Sequence, residues 1–301
     1  MSLPFNRVIL TAEPAAPVSQ RTLETIVTHR HVAQLRVDSV TQAAAQTCGQ
    51  AETSLFGETI AEARSVVAGH EEATAQAGLD HLIAIAQVPA EEVTLKAWQD
   101  QTFLRELRAR ALRELAGEQL EVLYTTSRPL FGLDSVMAQH PDGTPRAFNP
   151  QEQARLGQIW KNLQRIVDEG NLVGRPADQA ITRIPGSGAG AGLGAIALLL
   201  RGALAPYYPQ WARENLKDSD ERTLVIWVGS ALHPQTVADS SLEALGETAA
   251  QNGSVLIAFA NESSLSPHEL AQWGVNSAYI INNDPVAYLT RVIWGTWLRA
   301  T

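Results

Sequence analysis

The sequence predicts an α/β fold with mostly parallel sheets, and three observations lead there. Short β-branched or apolar runs alternate along the chain with longer stretches of helical periodicity, the pattern of repeated β–α–β units. From Leu224 to Thr301 the order reads strand, helix, strand, helix, strand, helix, a doubly wound half in its own right. The 301 residues, 45% of them hydrophobic and 18% charged, can bury a large core and divide by size into about two domains.

In chain order, strands are expected over 7–10, 32–37, 81–86, 120–124, 224–228, 255–259 and 278–281, each a short run bounded by turn or polar residues. Helices are expected over 54–78, 93–115 and 150–169, where apolar residues recur at three- and four-residue spacing, as Leu104, Leu107, Ala111 and Leu115 do. The Pro/Gly/Asn-rich stretch 140–150 reads as a surface loop, and Pro150 suits the first turn of the helix behind it. An apolar helix is expected over 196–204.

Composition removes several functional classes. The net charge of −9 and the lack of a basic stripe exclude a dedicated nucleic-acid binder. Cys48 is the single cysteine, so there is no internal disulfide, which fits a reducing compartment. The start, MSLPFNRVIL, is too short and polar for a signal peptide. The longest apolar run, 194–200, falls far short of the roughly 20 residues that span a bilayer. A soluble, cytoplasmic protein with no membrane partner is therefore expected. The seven histidines show no His-Glu-x-x-His spacing, and no zinc or other metal site is expected. No Gly-x-Ser-x-Gly elbow marks a serine hydrolase.

The most informative stretch is Pro185-Gly186-Ser187-Gly188-Ala189-Gly190-Ala191-Gly192-Leu193-Gly194-Ala195. Alternating glycines let a backbone turn tightly and let an anion approach main-chain N–H groups at a helix N-terminus. The same alternation equally serves close packing of the helix on its neighbours, and both readings stand. It is not a P-loop, because no Gly-Lys-Ser/Thr follows. Gly190-x-Gly192-x-x-Ala195 has a dinucleotide-like spacing, which leaves an NAD(P)-binding oxidoreductase as a weaker alternative, although the preceding residues make a poor strand. Arg128, after an expected strand, is a candidate catalytic or anion-clamping residue, or the partner of a surface ion pair. His233, in SALHPQT, is a candidate general base, or a loop histidine beside a proline. The tryptophans read as core or helix contacts, and a C-terminal helix bearing Trp294, Trp297 and Leu298 also offers a homodimer surface.

These residues resemble the type I glycerate kinases, which phosphorylate glycerate with ATP and Mg²⁺. Pro185 to Ala195 is similar, almost residue for residue, to that family's Pro-Gly-Ala-Gly-Ala-Ala-Gly-Gly-Leu-Gly-Ala, which also leads into an apolar helix. Arg128-Pro129-Leu130-Phe131-Gly132 resembles its Asn-Pro-Leu-x-Gly, and Thr53 to Ile60 its Thr-x-x-x-Gly-x-x-Ile/Leu element. Val225 to Gly229 followed by Gln235 and Thr236 resembles its strand and Gly-Glu-Gly-Arg-Leu-Asp-x-Gln-Thr motif. The resemblance runs over about residues 50 to 301. It implies two α/β domains, one inserted into the other: residues 1–50 with 221–301 as a Rossmann- or flavodoxin-like domain, and 51–220 as the inserted domain, which presents the glycine segment to the cleft. It further implies that Gly186, Ser187, Gly188, Gly190, Gly192, Gly194, Gln235 and Thr236 bind substrate or phosphate, and that a small organic acid and a nucleotide are the partners.

The departures are concentrated in the charged loops. Where the family has Asp-Ser-Phe-Lys-Gly-Ser-Leu-Ser, this chain has Thr11-Ala-Glu-Pro-Ala-Ala-Pro-Val-Ser19. Gln87 to Glu92 stands in place of a glycine-rich loop, and His233 replaces the aspartate of Leu-Asp-x-Gln-Thr. The chain's three lysines, Lys96, Lys161 and Lys217, all fall away from the family's phosphate-contacting positions. Phosphoryl transfer depends on positioned cations and N–H groups. The chain therefore reads as a degenerate member with phosphotransfer lost or altered, the alternative being a pseudokinase that works as a binding or partner protein.

Overall fold

The computed structural model of the chain describes residues 3–30, 35–40, 65–68, 76–140, 143–147, 149–169, 180–238 and 240–299. It is a mixed α/β chain in two compact units, Met1–Ala44 with Tyr208–Thr301, and Ala45–Tyr207. In chain order the elements begin with β1 (Arg7–Ala12), α1 (Gln20–Thr28) and β2 (Arg36–Ser39). The second unit follows with β3 (Ser65–Ala68), α2 (Leu79–Ile85), α3 (Gln101–Glu114), β4 (Glu121–Tyr124), α4 (Pro150–Asp168), α5 (Ala189–Leu199) and β5 (Ala203–Pro206). The chain returns to the first unit with α6 (Tyr207–Leu216), β6 (Thr223–Val228), β7 (Ala231–Leu232), α7 (Pro234–Ala238) and α8 (Ser241–Asn252). It closes with β8 (Val255–Ala260), β9 (Glu262–Ser263), α9 (Pro267–Gln272), β10 (Ser277–Ile280), α10 (Pro285–Val292) and a π-turn, Ile293–Trp297.

The first unit is a parallel sheet in the order β10-β8-β6-β1-β2, which reverses direction of travel between β1 and β6. The central strand β6, Thr-Leu-Val-Ile-Trp-Val, is buried at every position, as a strand covered on both faces must be. Leu224, Ile226 and Val228 join a core with Leu23, Ile26, Leu289, Ile293 and Trp294 from α1 and the chain's end. Val225 and Trp227 point the other way, toward α8, where Trp227 Nε1 meets Ser241 Oγ at 3.1 Å. The residues offered as a dimer surface belong largely to this core. Trp294 is buried with Nε1 donating to Ile26 O at 2.9 Å, Leu298 is buried, and Trp297 Nε1 donates to the Tyr279 hydroxyl.

The second unit is a three-stranded parallel sheet in the order β3-β4-β5, with α5 packed on all three strands. Around α5 stand α2 and α4, and Leu79, Leu82, Leu104, Leu107, Leu163 and Leu193 fill the space between them.

Several expected elements differ. Residues 81–86 are not a strand but most of α2, in which Leu79, His81, Leu82 and Ile85 share the buried face. A short apolar run carries no period of its own to separate strand from buried helix. The expected helix 93–115 is broken by short 3₁₀ turns, and α3 starts only where Asp100 caps it by accepting from Thr102 N at 2.8 Å. Within the expected helix 54–78, Ser65–Ala68 is strand β3, and most of the rest lies outside the described residues. The helix expected over 196–204 starts earlier and stops at Leu199, and Ala203–Pro206 becomes β5. Among the described residues no helix is long and apolar enough to cross a membrane.

One contact in the first unit is tight enough to test. A Cβ on Gly246 in α8 would lie 1.8 Å from Trp273 O, whereas nothing lies within 4 Å of one on Gly295. Gly246→Ala is expected to cost about 3 kcal/mol, at the upper end of overpacking penalties, and Gly295→Ala almost nothing. Denaturant midpoints check both; equal midpoints would contradict the close approach.

Candidate functional site

In the second unit, the glycine segment crosses the carboxyl ends of β3 and β4. Thr125 N and Oγ1 both reach Ala68 O, at 3.1 and 3.2 Å, tying the two strand ends together. Gly186 N then donates to Ser127 O at 2.9 Å, and Gly188 N to Arg128 O at 3.1 Å. This is the edge where α/β sheets take ligands. Arg128 and the six glycine-segment residues named from the sequence therefore do come together.

Their surroundings are closed. Every residue from Gly186 to Gly194 is buried. A Cβ at Gly186 would lie 2.4 Å from the Tyr124 ring, one at Gly188 2.7 Å from Pro129 O and 2.8 Å from Val136, and one at Gly194 2.2 Å from Gly186 O. Gly190, Ala191 and Gly192 adopt left-handed φ of 58°, 52° and 100°, a kink within α5 that brings Gly192 backbone against Ala77 and Gly78. The side chain of Ser187 is turned inward, its Oγ accepting from Leu130 N at 3.0 Å. The dinucleotide-like spacing Gly190-x-Gly192-x-x-Ala195 lies inside this helix, and the residues before it, 181–188, form turns rather than the strand that such a motif follows.

Arg128 is half-buried, and its guanidinium donates to three main-chain oxygens: Asp134 O at 3.2 Å, Ser135 O at 2.8 Å and Gln139 O at 2.8 Å. It clamps the irregular loop after β4. A residue the sequence reading missed, His81, sits on α2 beneath the kink, with Nε2 3.0 Å from Gly190 O. A carbonyl can only accept, so Nε2 carries the proton in this contact. Burial pushes the imidazole below its ordinary range, against the opposing pull of Asp80 and of the Gly190 carbonyl. The expectation of a strand over 81–86 hid this histidine.

His233, Gln235 and Thr236 lie in the first unit. The short parallel pair β7 and β9 extends the carboxyl ends of β6 and β8, setting Leu232 opposite Ser263. His233 follows directly, its Nδ1 2.7 Å from Ser264 Oγ and its Nε2 3.3 Å from Glu262 Oε1. The ring is half-exposed and oriented from both sides. Thr236 Oγ1 accepts from His233 N at 3.0 Å and contacts Ala231 O and His233 O, closing its own turn; Gln235 lies in α7.

A second missed residue is Glu13, just past β1 at the point where the strand order reverses. There, between β1 and β6, doubly wound sheets hold anionic ligands against a helix N-terminus. Glu13 Oε1 accepts from Ser241 N at 3.2 Å, Ser241 Oγ at 2.8 Å and Trp227 Nε1 at 3.0 Å. The chain's own carboxylate thus occupies the amino end of α8. A lone acid one residue beyond a strand was the available signal. Among the described residues, no three His, Cys, Asp or Glu side chains gather as a metal-ligand set.

The His81 contact has a pH signature. Its folded-state affinity for protons is depressed, so as pH falls the unfolded chain is protonated first. The contribution to stability is complete above about pH 6.5, the ordinary imidazole value, and is lost as pH drops toward the folded value. His81→Gln keeps a donor for Gly190 O and is expected to flatten this limb of the stability–pH curve. An unchanged limb would assign it to other groups.

No family model matches the chain, and no curated protein matches it in sequence. Among solved structures, one described as "putative glycerate kinase 2 from Salmonella typhimurium LT2" is similar over 94% of both chains, with a TM-score of 0.51 and 14% identity. At that identity the likeness concerns the fold, which is glycerate-kinase-like.

Proposed function

We propose that the chain is a glycerate-kinase-like protein in which the fold is retained and ATP-dependent phosphorylation of glycerate, or a related hydroxy acid, has been lost, leaving a pseudokinase that acts by binding. The filled glycine turn carries this reading. A phosphate cradle needs main-chain N–H groups that face open space at a helix N-terminus. Here the N–H groups of Gly186, Ser187, Gly188 and Ala189 donate to Ser127 O, Ile184 O, Arg128 O and Gly186 O, and the glycines lie against Tyr124, Val136 and the segment's own backbone. ATP and Mg²⁺ do not fit such a turn. Arg128 offers no substitute cradle, since its guanidinium serves the loop carbonyls. Glu13 gives independent support by placing a negative charge at the remaining anion position of the fold.

A second reading, an enzyme with altered chemistry, draws on His233. Its imidazole is oriented by Ser264 and Glu262, stays half-exposed at the carboxyl edge of a parallel sheet, and has the chemistry of a general base for a substrate hydroxyl.

A coupled ADP-release assay with D-glycerate and Mg²⁺, run beside calorimetry with ATP·Mg, separates the readings. The pseudokinase is expected to give no ADP above the protein-free rate and no micromolar nucleotide binding. Turnover abolished by His233→Gln would favour the second reading and contradict the first.

A further inference from the structure

At the opposite end of the second unit's sheet, where β4 and β5 begin, lies a cavity of about 390 Å³. Its walls include the apolar side chains of Ile166, Ile181 and Leu198, and its polar lining is supplied by Arg108, Arg201 and Glu169. That volume is within the range of small-molecule sites, which are mostly apolar with a few placed polar groups.

The charges on this lining are unbalanced. Glu169 is already claimed from outside the cavity: Arg105 Nε reaches its two carboxylate oxygens at 2.8 and 3.1 Å, and that pairing holds the carboxyl below its ordinary range. Among the described residues Arg108 makes one side-chain hydrogen bond, Nε to Leu199 O at 2.8 Å, and lies near the Glu169 charge, while the Arg201 guanidinium has no hydrogen-bond or ion-pair partner. Burial and the nearby charge of Arg201 depress the Arg108 pKa, with Glu169 pulling the other way, as expected where two cations, Arg108 half-buried and Arg201 exposed, lie near one carboxylate that Arg105 already pairs. The backbone adds a further observation. Arg201 follows the end of α5 with φ of +63°, a position that helices ordinarily give to glycine, yet the chain's glycine comes one residue later at Gly202. An arginine is therefore held there against a local backbone preference.

We propose that this cavity is a binding site for a small amphiphilic carboxylate, whose charged head lies between the guanidinium groups of Arg108 and Arg201 and whose short apolar body lies on Ile166, Ile181 and Leu198. Guanidinium forks suit a carboxylate, and a bound anion relieves the repulsion between the two cations. The proposal is independent of whether phosphotransfer has been lost, since it concerns the edge of the sheet away from the glycine turn.

The test uses the whole protein and sodium hexanoate, with hexan-1-ol and inorganic phosphate as comparison ligands, by calorimetry at low ionic strength. Hexanoate is expected to bind saturably with a dissociation constant of about 1 mM or tighter, and neither comparison ligand to bind as well. Arg201→Gly should weaken hexanoate binding by about tenfold or more, as loss of a charge-assisted contact does. The same variant should not lower the ligand-free melting temperature, because glycine suits the left-handed backbone at that position. Arg108→Gln should weaken binding similarly. Absence of saturable hexanoate binding would overturn the proposal, as would hexan-1-ol or phosphate binding equally tightly, or Arg201→Gly binding as wild type does.

Discussion

The second unit depends on how closely one stretch of backbone approaches its neighbours. Between Gly186 and Gly194 the chain runs against the Tyr124 ring, the Pro129 carbonyl, the Ala77–Gly78 turn and itself, at distances that exclude even a methyl group. That approach lets α5 lie on all three strands and lets Ser187 and the Gly190 carbonyl be satisfied by Leu130 N and His81. Side chains at these positions would move the helix off the sheet. The close approach accounts for the glycines by packing, and the proposed loss of the phosphate site rests on it.

The first unit reaches a similar end by a different interaction. A doubly wound sheet presents a helix N-terminus at the reversal of its strand order, and that partial positive charge favours an anion. Glu13 provides one internally and ties β1, β6 and α8 through a single carboxylate oxygen. The scarcity of lysine also finds a structural use. Several arginines act on main-chain carbonyls: Arg128 on three, Arg108 on Leu199 O, Arg110 on Gln87 O and Arg146 on Gln139 O. A forked guanidinium can hold irregular backbone in a way a single ammonium cannot.

How much of this was legible in the sequence varied with the type of signal. The α/β class and the strands β1, β4, β6, β8 and β10 could be read because continuous apolar runs between polar boundaries have few other uses. Residues 81–86 were misread because an apolar run of that length fits a buried helix equally well, and β5 was absorbed into the helix before it because Ala203–Pro206 has no β-branched residue. The glycine segment was recognisable as special, but its pattern serves ligand approach and close packing alike. Only the positions of Tyr124, Val136 and Ala77, far away in sequence, distinguish the two uses. Glu13, Ser264 and Glu262 escaped notice because their significance lies in partners brought near by the sheet, Ser241 for the first and His233 for the others.

The central claim, that residues 186–194 are a packing element and not a nucleotide cradle, is tested most directly by amide hydrogen exchange across that segment, with and without saturating ATP·Mg. The expected result is strong protection in the free protein that nucleotide leaves unchanged. Rapid exchange in the free protein, or protection that rises at Gly186 to Gly194 when ATP·Mg is added, would contradict it.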